Sequence, residues 1–341
     1  MTRTFRYVPN QVIRELLTPE RANELAEQTL VDHYNGDIEW AAPRQMDLFP
    51  GDHDTQYKVK GCVLRRPGVA GFRVVGLNRS VDGQRIMARR PTKNVLLTDT
   101  ATAEFFGIVD ERYGYGMRTG ACSAVALKHL AADGADECAM VGTGHMAYGS
   151  LVTLAAAVKL RRVRVWSRSA ERREAFAAQM ADELGIEVVA AETVQDCVRE
   201  AGLVITATTA PDPFLSTDDF APGATIYAMG GNQELETRAL REMTLVVDDR
   251  HQVLTTKKYI VKDLVPNEGY SNDWVSADLP EVVAGAHPGR TSEDERILIV
   301  SQGLVTQDVA QAYWLYEEAE RLDAGVSLEQ ALVGDEDGHL F

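Results

Sequence analysis

The sequence lacks features that mark membrane, secreted and nucleic-acid-binding proteins. No apolar run is long enough to cross a bilayer, and residues 1–6 contain no apolar segment of the kind that directs secretion. The formal net charge is −16, so the surplus of Lys and Arg that nucleic-acid phosphates require is missing. We therefore predict a cytoplasmic protein with neither nucleic-acid nor membrane partners.

Metal-binding and disulfide patterns are also missing. The four cysteines show no C-x-x-C spacing, and the seven histidines show no H-E-x-x-H pairing. We predict four thiols in a reducing compartment and no metal site. These cysteines are Cys62, Cys122, Cys138 and Cys197.

What is present is ordinary globular composition, with 45% hydrophobic and 25% charged residues. At 341 residues the chain is long enough for two domains, each with its own core.

In the first third, helical periodicity over 17–34 precedes a series of short strands that are separated by Gly and Asp residues. This pattern predicts an antiparallel sheet whose strands cover 57–64, 71–77, 85–88, 93–99 and 103–109.

From residue 117 onwards the pattern changes to alternating helices and strands. A helix over 117–132 leads into strand 137–141, and each later strand up to 203–206 follows a helix. This β-α-β succession predicts a parallel, doubly wound sheet with helices on both faces. The remaining predicted helices cover 147–159, 170–184, 194–201, 307–322 and 328–332, and the remaining strands cover 162–166, 187–190, 225–228 and 245–247.

A glycine turn joins strand 137–141 to the next helix and predicts a dinucleotide site. Gly142 permits a tight turn, Gly144 lets the backbone approach a pyrophosphate, and Ala147 lets helix and strand pack closely. The helix amino terminus offers unpaired N–H groups and the positive end of its dipole. The predicted phosphate-binding residues are Gly142, Thr143, Gly144, His145, Met146 and Ala147.

The end of strand 162–166 indicates which dinucleotide binds. NAD sites usually carry Asp or Glu there, to hold the ribose 2′-hydroxyl, but this chain has Ser167. Arg168 can pair with a 2′-phosphate, and Ser169 can donate a hydrogen bond to it. NADP(H) is favoured and NAD(H) remains possible, because Arg168 could instead be a solvated cation at a helix start.

Arg118 stands at the predicted start of the helix over 117–132. A cation at a helix amino terminus opposes the macrodipole, so a function is expected for it. Binding a substrate carboxylate with its planar guanidinium would provide one. An arginine that bridges two surface segments is the alternative.

The segments described above, together with 206–209, 246–252 and 290–308, resemble the ornithine cyclodeaminase/μ-crystallin family, and the resemblance extends over nearly the whole chain. The resemblance implies a homodimer, with an α+β substrate and dimerisation domain over 1–116 and 308–341 and a Rossmann domain over 117–307. It also implies chemistry at an α-amino or α-imino acid. The matching segments are 118–124, 142–147, 166–169, 206–209, 246–252 and 290–308.

By the same resemblance, further residues contact the dinucleotide. The loop 301–303 touches the nicotinamide in relatives, and here Gln302 takes the place of a valine. Met146 likewise replaces the usual glutamine of the turn. The additional cofactor-binding residues that the resemblance implies are Thr206, Ala207, Thr208, Met229, Ser301 and Gly303.

Two departures from the family shift the expected chemistry. Arg73 stands where cyclodeaminases carry a catalytic lysine, and Lys60 is a nearby candidate for its cationic role. Asn232 stands where they carry an aspartate, and an amide cannot accept and return a proton. Ornithine cyclisation with loss of ammonia is therefore disfavoured.

The leading hypothesis is an NADP(H)-dependent imine reductase or amino-acid dehydrogenase. Arg44, Arg73 and Arg118 would hold the substrate carboxylate, and Lys60 would keep the imine nitrogen polarised. Two alternatives stay open: a cyclodeaminase-type lyase with tightly bound NAD, and a non-catalytic dinucleotide-dependent binding protein. Tyr115 and His145 are candidate proton donors, although each residue type is more often found in packing or at the surface.

Overall fold

The structure is a computed structural model that describes residues 4–49, 55–78, 92–229, 234–256 and 272–327. The chain forms two compact units. The first contains the described parts of 4–17, 37–114 and 305–327, and the second contains 18–36 and the described parts of 115–304. The helix over 17–34 was predicted within the first domain, but residues 18–36 group with the second unit. There Asn23 donates a buried side-chain hydrogen bond to the carbonyl of Thr153.

The first unit is a seven-stranded sheet with one long helix. The sheet order is β15-β1-β6-β5-β4-β3-β2, and its neighbours are antiparallel except for β1 and β6. Numbered in chain order, its elements are β1 (Arg6–Val8), α1 (Asn10–Leu16), β2 (Ile38–Leu48), β3 (Thr55–Leu64), β4 (Val69–Asn78), β5 (Lys93–Asp99), β6 (Phe105–Asp110), α10 (Val305–Arg321) and β15 (Val326–Ser327).

Helix α10 lies against one face of this sheet at two glycines. A Cβ atom at Gly71 would lie 2.4 Å from Val309 Cγ1, and one at Gly107 would lie 2.9 Å from Tyr316 Cδ2. The apolar positions of α10 recur every three or four residues and are buried, as expected for a helix with one face on a core. This close approach brings residues of α10 next to side chains of β4.

The second unit is an eight-stranded sheet in which every neighbouring pair is parallel. Its order is β13-β12-β14-β11-β10-β7-β8-β9. The strands are β7 (Glu137–Val141), β8 (Arg162–Trp166), β9 (Glu187–Ala190), β10 (Leu203–Thr206), β11 (Thr225–Met229), β12 (Thr244–Val247), β13 (Val275–Asp278) and β14 (Ile297–Ser301). The prediction of a doubly wound parallel sheet is confirmed.

The helices of the second unit begin where the sequence provides caps. Thr18, Ser169 and Thr193 each accept a backbone hydrogen bond at the start of α2, α5 and α6. The helices are α2 (Pro19–Tyr34), α3 (Arg112–Leu130, whose first three residues belong to the first unit), α4 (His145–Ala157), α5 (Ala170–Leu184), α6 (Val194–Val198), α7 (Ala239–Glu242), α8 (Arg250–Thr256) and α9 (Leu279–Val283).

Helices α3 and α4 cross at glycines. A Cβ atom at Gly120 would lie 2.4 Å from the carbonyl carbon of Gly149, and one at Gly149 would lie 2.3 Å from the carbonyl oxygen of Gly116. The backbones of the two helices are therefore in direct contact. This crossing joins the helix that carries Arg118 to the helix that begins at the glycine turn.

The start of α3 corrects the sequence prediction. The helix begins at Arg112, five residues before the predicted start, because the carboxylate of Asp110 accepts hydrogen bonds from the backbone and side chain of Arg112. Gly114 and Gly116 do not interrupt the helix. Arg118 therefore lies in its second turn, and the argument from an opposed helix dipole does not apply to it.

Strand β14 lies inside the parallel sheet and was not predicted, and neither were β1, β2, α1 or β13. The predicted strand over 85–88 and helix over 328–332 lie outside the described residues.

No helix in the described part of the chain combines the length and apolar content needed to cross a membrane. Across the same ranges no three His, Cys, Asp or Glu side chains are grouped to hold a metal ion.

Candidate active site

The glycine turn of the second unit lies where the order of the parallel strands reverses. Strand β7 is flanked by β8 on one side and β10 on the other, and the next strands continue outwards from each. Ligands of such sheets bind beyond the carboxyl ends of the strands at this reversal. Residues that follow β7, β8 and β10 therefore share one edge of the sheet.

Two glycines give this turn its shape for different reasons. Gly142 has a φ of +124°, and a Cβ atom there would lie 2.5 Å from the carbonyl oxygen of Ala207. Gly144 is exposed, and a Cβ atom there would meet nothing within 4 Å. The first glycine is required by the backbone, whereas the second leaves open space in front of the helix.

The amino terminus of α4 suits an anion. Gly144 is the N-cap and has no side chain to cap the helix, and the first turn contains no acidic residue. This helix end therefore presents backbone amides and the positive end of its dipole to phosphate oxygens, without a side-chain cap that competes for them. Ala147 is fully buried beneath them, and the side chains of Thr143 and Met146 are partly exposed beside them. The chemistry of this turn fits a dinucleotide pyrophosphate.

His145 lies at the first position of α4, over the crossing with α3. A Cβ atom at Gly116 would lie 2.7 Å from His145 Nε2. The imidazole is exposed, so it borders the turn without filling it. Tyr115, the other candidate proton donor, has its ring 4.9 Å from the guanidinium carbon of Arg118.

The residues after β8 leave an arginine at the surface. Ser167 donates to the carbonyl of Ser169, and Ser169 in turn caps α5 by accepting from the amide of Arg172. Arg168 is exposed, and within the described ranges it makes no hydrogen bond or ion pair. Its guanidinium is therefore available to an anionic ligand, as a 2′-phosphate would require.

The loop after β10 closes the other side of the turn. Thr206 is fully buried, and the amide of Ala207 donates to the carbonyl of Val141. Thr208 donates to Glu234 from both its amide and its hydroxyl, at 2.8 and 2.7 Å. Glu234 is 1% exposed and was not identified from the sequence. It holds the loop in which Thr206, Ala207 and Thr208 were predicted to bind the cofactor.

The end of β14 brings Ser301 and Gly303 next to other predicted residues. Ser301 pairs with Met229 of the adjacent strand β11. A Cβ atom at Gly303 would lie 2.8 Å from Nη1 of Arg118, so the absence of a side chain makes room for the guanidinium. Arg118 is 6% exposed and contacts this turn from within the same unit.

In the first unit, Arg73 is bound by two buried carboxylates. Its Nε and Nη2 atoms lie 2.9 and 2.7 Å from the two carboxylate oxygens of Glu111, and its Nε lies 3.3 Å from Asp308 Oδ1. All three side chains are less than 10% exposed. Lys60 faces Arg73 across β3 and β4 and projects to the same side of the sheet, so the structure brings these two predicted cations together.

The remaining predicted residues are not gathered at either cluster. Arg44 is half-buried in β2, with its guanidinium carbon 4.1 Å from the ring of Trp40. Asn232 lies outside the described residues. The four cysteines are buried free thiols, and burial raises the pKa of Cys197 to about 12.

Asp248, Gln252 and Asp308 lie within the segments 246–252 and 290–308 that match the family, but no role was predicted for them from the sequence. Glu111 was not identified from the sequence. A signal was available for Asp248, because it directly follows the apolar strand β12 at the same edge of the sheet as the glycine turn. For Glu111 and Asp308 no local signal exists, since their partner Arg73 is distant in the sequence.

Known proteins share both this fold and this sequence pattern. Delta(1)-pyrroline-2-carboxylate reductase of Bacillus cereus is 28% identical over 239 residues, 69% of this chain and 73% of that protein. Ketimine reductase mu-crystallin of Mus musculus is 28% identical over 228 residues, 66% and 68% of the two chains. The structure of Thermococcus litoralis Delta(1)-pyrroline-2-carboxylate reductase in complex with NADH and L-proline superposes with a TM-score of 0.86, at 24% identity, over 95% of this chain and all of that one.

The sequence model of the ornithine cyclodeaminase/mu-crystallin family matches residues 8–323, which include both units, the glycine turn and the Arg118 helix. The chain therefore belongs to the ornithine cyclodeaminase/mu-crystallin family.

Proposed function

We propose that the protein is a dinucleotide-dependent oxidoreductase that reduces the C=N bond of a small α-imino acid, or oxidises the corresponding amine. The observation that carries the proposal is the uncapped, acid-free amino terminus of α4 at the strand-order reversal. The names of two sequence relatives, a pyrroline-carboxylate reductase and a ketimine reductase, support the reaction class.

The proposed cofactor is NADP(H) in preference to NAD(H). The exposed guanidinium of Arg168 follows β8, where an NAD site would carry a carboxylate. The hydroxyl of Ser169, which already accepts from the amide of Arg172, keeps its proton to donate to a phosphate oxygen. A bound nicotinamide supplies or accepts the hydride, and the protein's residues orient the reacting carbon.

Arg118 is the proposed ligand of the substrate carboxylate. Its guanidinium lies against the ring of Tyr115 and next to the turn at Gly303. A planar guanidinium fixed in this way can bind a carboxylate with two parallel hydrogen bonds. Its low exposure keeps water from competing with such a ligand.

Arg73 enters the proposal in a changed role. Glu111 already occupies two donors of its guanidinium and Asp308 adds a second negative charge, so we assign Arg73 to holding these carboxylates in place. Lys60 remains the proposed active cation of the first unit. Arg44 and Asn232 remain predictions for substrate binding and catalysis.

The test is an assay of purified protein with NADPH and NADH against several imines. The substrates are Δ1-pyrroline-2-carboxylate, its six-membered homologue and mixtures of 2-oxo acids with primary amines, and the readout is loss of reduced-nicotinamide absorbance. We expect NADPH oxidation with at least one α-imino acid and slower oxidation of NADH. Variant Arg118→Met should lose the reaction with α-imino acids, whereas Arg172→Met, a change of the same kind at an exposed arginine, should not.

Two outcomes would overturn this proposal in favour of its alternatives. Release of ammonia from a diamino acid without net oxidation of NADPH would indicate a cyclodeaminase-type lyase. Tight dinucleotide binding with no turnover of any imine or amine would indicate a non-catalytic dinucleotide-dependent binding protein.

We further propose that the protein is a homodimer that forms through the first unit. Four large apolar side chains are between 37% and 49% exposed on strands β2 to β4, on the sheet face opposite Arg73 and α10. A patch of this kind is typical of a protein–protein interface. These residues are Met46, Leu48, Tyr57 and Phe72.

The homodimer is tested by the molar mass in solution. Wild-type protein should elute at twice the chain mass of 37.5 kDa, and Phe72→Glu should shift the population to monomer. The control is Val189→Glu, which adds the same charge at an exposed apolar residue of the second unit. A monomeric wild type would overturn the proposal.

A further inference from the structure

A single buried carboxylate holds the turn that follows β14. Asp248 Oδ2 accepts three hydrogen bonds: from the backbone amides of Gln302 and Gly303, both at 2.7 Å, and from the hydroxyl of Ser301 at 3.1 Å. Asp248 is fully buried. Burying a charge is unfavourable unless it is well bonded, so these three bonds are what keep the carboxylate there.

The opposite side of the same turn is held by Gln252. Its side-chain amide donates to the carbonyl of Gly303 at 2.9 Å, and the residue is 4% exposed. Gly303 has a φ of +79°, a backbone conformation that glycine adopts most readily. The backbone amide and the carbonyl of Gly303 are therefore both bonded to side chains that follow β12. The turn cannot rotate without breaking these two hydrogen bonds.

The fixed turn forms one wall around Arg118. A Cβ atom at position 303 would lie only 2.8 Å from Nη1 of Arg118, so the guanidinium packs directly against the turn. The ring of Tyr115 also lies against the guanidinium. A shift of the turn by a fraction of an ångström would therefore move or release the guanidinium. Asp248 makes no hydrogen bond to Arg118 itself, so any effect must pass through the turn.

A second buried group connects the turn to helix α3. Tyr227 of β11 is fully buried, and burial raises the pKa of its phenol, which therefore stays protonated. Its hydroxyl is next to Ser301 and to Cys122, which lies one helical turn after Arg118. The Tyr227 hydroxyl is therefore close both to the turn and to the helix that carries the guanidinium.

We propose that Asp248 is a positioning residue that fixes the Arg118 guanidinium by holding the 301–303 turn. The proposal rests on the proposed function, in which Arg118 binds the substrate carboxylate. Gln252 assists from the other side of the turn. Asp248 and Gln252 act through Arg118, whereas the pyrophosphate is proposed to bind at the amino terminus of α4, so their loss should weaken substrate binding much more than dinucleotide binding.

The experiment compares Asp248→Ala and Asp248→Asn in the full-length protein. The alanine removes all three acceptor contacts, whereas the asparagine keeps an oxygen that can accept them without the charge. We expect Asp248→Ala to raise the KM of the imino acid at least tenfold while the Kd of NADPH, measured by its fluorescence, changes less than threefold. Asp248→Asn should stay within threefold of the wild type in both.

The matched control is Asp249→Asn. It removes the same charge one residue away, where the carboxylate accepts from the amide of Gln252 and faces His33 instead of the turn. It should leave the KM of the imino acid unchanged. If Asp248→Ala does not fold, Gln252→Met removes one donor to the turn and should raise the same KM about threefold.

Hydrogen exchange provides a readout that needs no substrate. In Asp248→Ala the amides of Gln302 and Gly303 lose their acceptor, so the peptide that contains them should exchange at least tenfold faster, with wild-type rates elsewhere. Unchanged exchange in this peptide, or an unchanged KM in Asp248→Ala, would overturn the positioning role. A wild-type protein that reduces no imine would overturn the proposed function instead, and the exchange measurement would still decide whether Asp248 holds the turn.

Discussion

The two units place their polar groups in opposite ways. In the second unit the dinucleotide turn is built from backbone: Gly142 supplies an unusual φ, and Gly144 supplies open space in front of the α4 amides. In the first unit the charged cluster is built from side chains, where Arg73 is enclosed by Glu111 and Asp308.

The backbone turn and the charged cluster depend on different features of the chain. A backbone turn is fixed by a few consecutive residues, and it tolerates changes in most side chains around it. A buried charged cluster depends on the register of strands and on the approach of a distant helix, because an uncompensated charge in the interior is strongly unfavourable. We therefore expect mutations in the first unit's cluster to affect folding first, and mutations in the turn to affect ligand binding first.

The largest effect should follow removal of the cation from the first unit. Arg73→Met leaves Glu111 and Asp308 buried without it, and breaking a buried ion pair in this way costs about 3–5 kcal/mol of unfolding free energy. Urea unfolding followed by tryptophan fluorescence would measure it. In a background where Trp166 and Trp274 of the second unit are replaced by Phe, the signal from Trp40 and Trp314 reports on the first unit.

The control for this prediction is Arg73→Lys, which keeps the charge but lacks the planar guanidinium whose Nε and Nη2 lie against the two oxygens of Glu111. It should lose less than half as much stability as Arg73→Met. Equal losses in the two variants would mean that packing of the side chain, and not its charge, stabilises the cluster.

The fully buried carboxylate of Asp248 in the second unit should make stability depend on pH. Burial, opposed by the hydrogen bonds from Gln302, Gly303 and Ser301, raises the pKa of Asp248 from 3.8 to about 6. Between these values the folded state binds a proton that the unfolded state does not, so stability falls as pH rises from about 4 to about 6. The contribution is roughly 3 kcal/mol for a shift of this size.

The measurement is the unfolding free energy at pH 4 and pH 7 for wild type and Asp248→Asn, with Trp166 and Trp274 as reporters. The other titrating groups are common to both proteins and cancel in the comparison. The decrease in stability from pH 4 to pH 7 should be about 3 kcal/mol smaller in the variant. An identical pH dependence would show that the carboxylate ionises in the folded protein as it does in water.

The same contrast explains what the sequence could predict. The alternating strands and helices from residue 137, the glycine turn and the replacement of a carboxylate by Ser167 are local patterns, and they predicted the parallel sheet and the candidate cofactor site. The salt bridges of Arg73 could not be predicted, because its partners are 38 and more than 200 positions away in the chain. Strand β14 was missed because the helix that precedes it, α9, has only five residues and was itself not predicted.

The start of α3 was misplaced for a related reason. Gly114 and Gly116 are poor helix formers, and the predicted helix over 117–132 began after them. In the structure, a Cβ atom at Gly114 would lie 2.5 Å from Gln311 Nε2 of α10, and one at Gly116 would lie close to His145. These glycines are needed for close approach, so tertiary packing outweighs the low helix propensity of this segment.

Two alanine substitutions, one at the N-cap of α4 and one within the helix, should separate stability from binding within the second unit. Gly149→Ala places a methyl group 2.3 Å from the carbonyl oxygen of Gly116, and overpacking of this kind costs about 1–3 kcal/mol. Gly144→Ala meets nothing within 4 Å, so it should leave stability unchanged but weaken NADPH binding about tenfold by approaching the pyrophosphate. Thermal unfolding and NADPH fluorescence titration measure the two effects. A loss of stability in Gly144→Ala would mean that this glycine serves the fold and not the ligand.

The smallest effect on stability should come from Arg168→Ala, which should change cofactor preference without changing the fold. Arg168 is exposed after β8, so Arg168→Ala removes no buried contact, but it removes a charged donor for a 2′-phosphate. Hydrogen bonds to charged groups contribute about 1.5–3 kcal/mol, which corresponds to at least a tenfold weaker affinity for NADPH. The affinity for NADH, which has no 2′-phosphate, should change less than twofold. Arg172→Ala removes an exposed arginine from the first turn of α5, four residues further along the chain, and is the matched control. Equal weakening of NADPH and NADH binding in Arg168→Ala would show that Arg168 does not distinguish the two dinucleotides. Its side chain would then add to the general dinucleotide binding by the backbone turn.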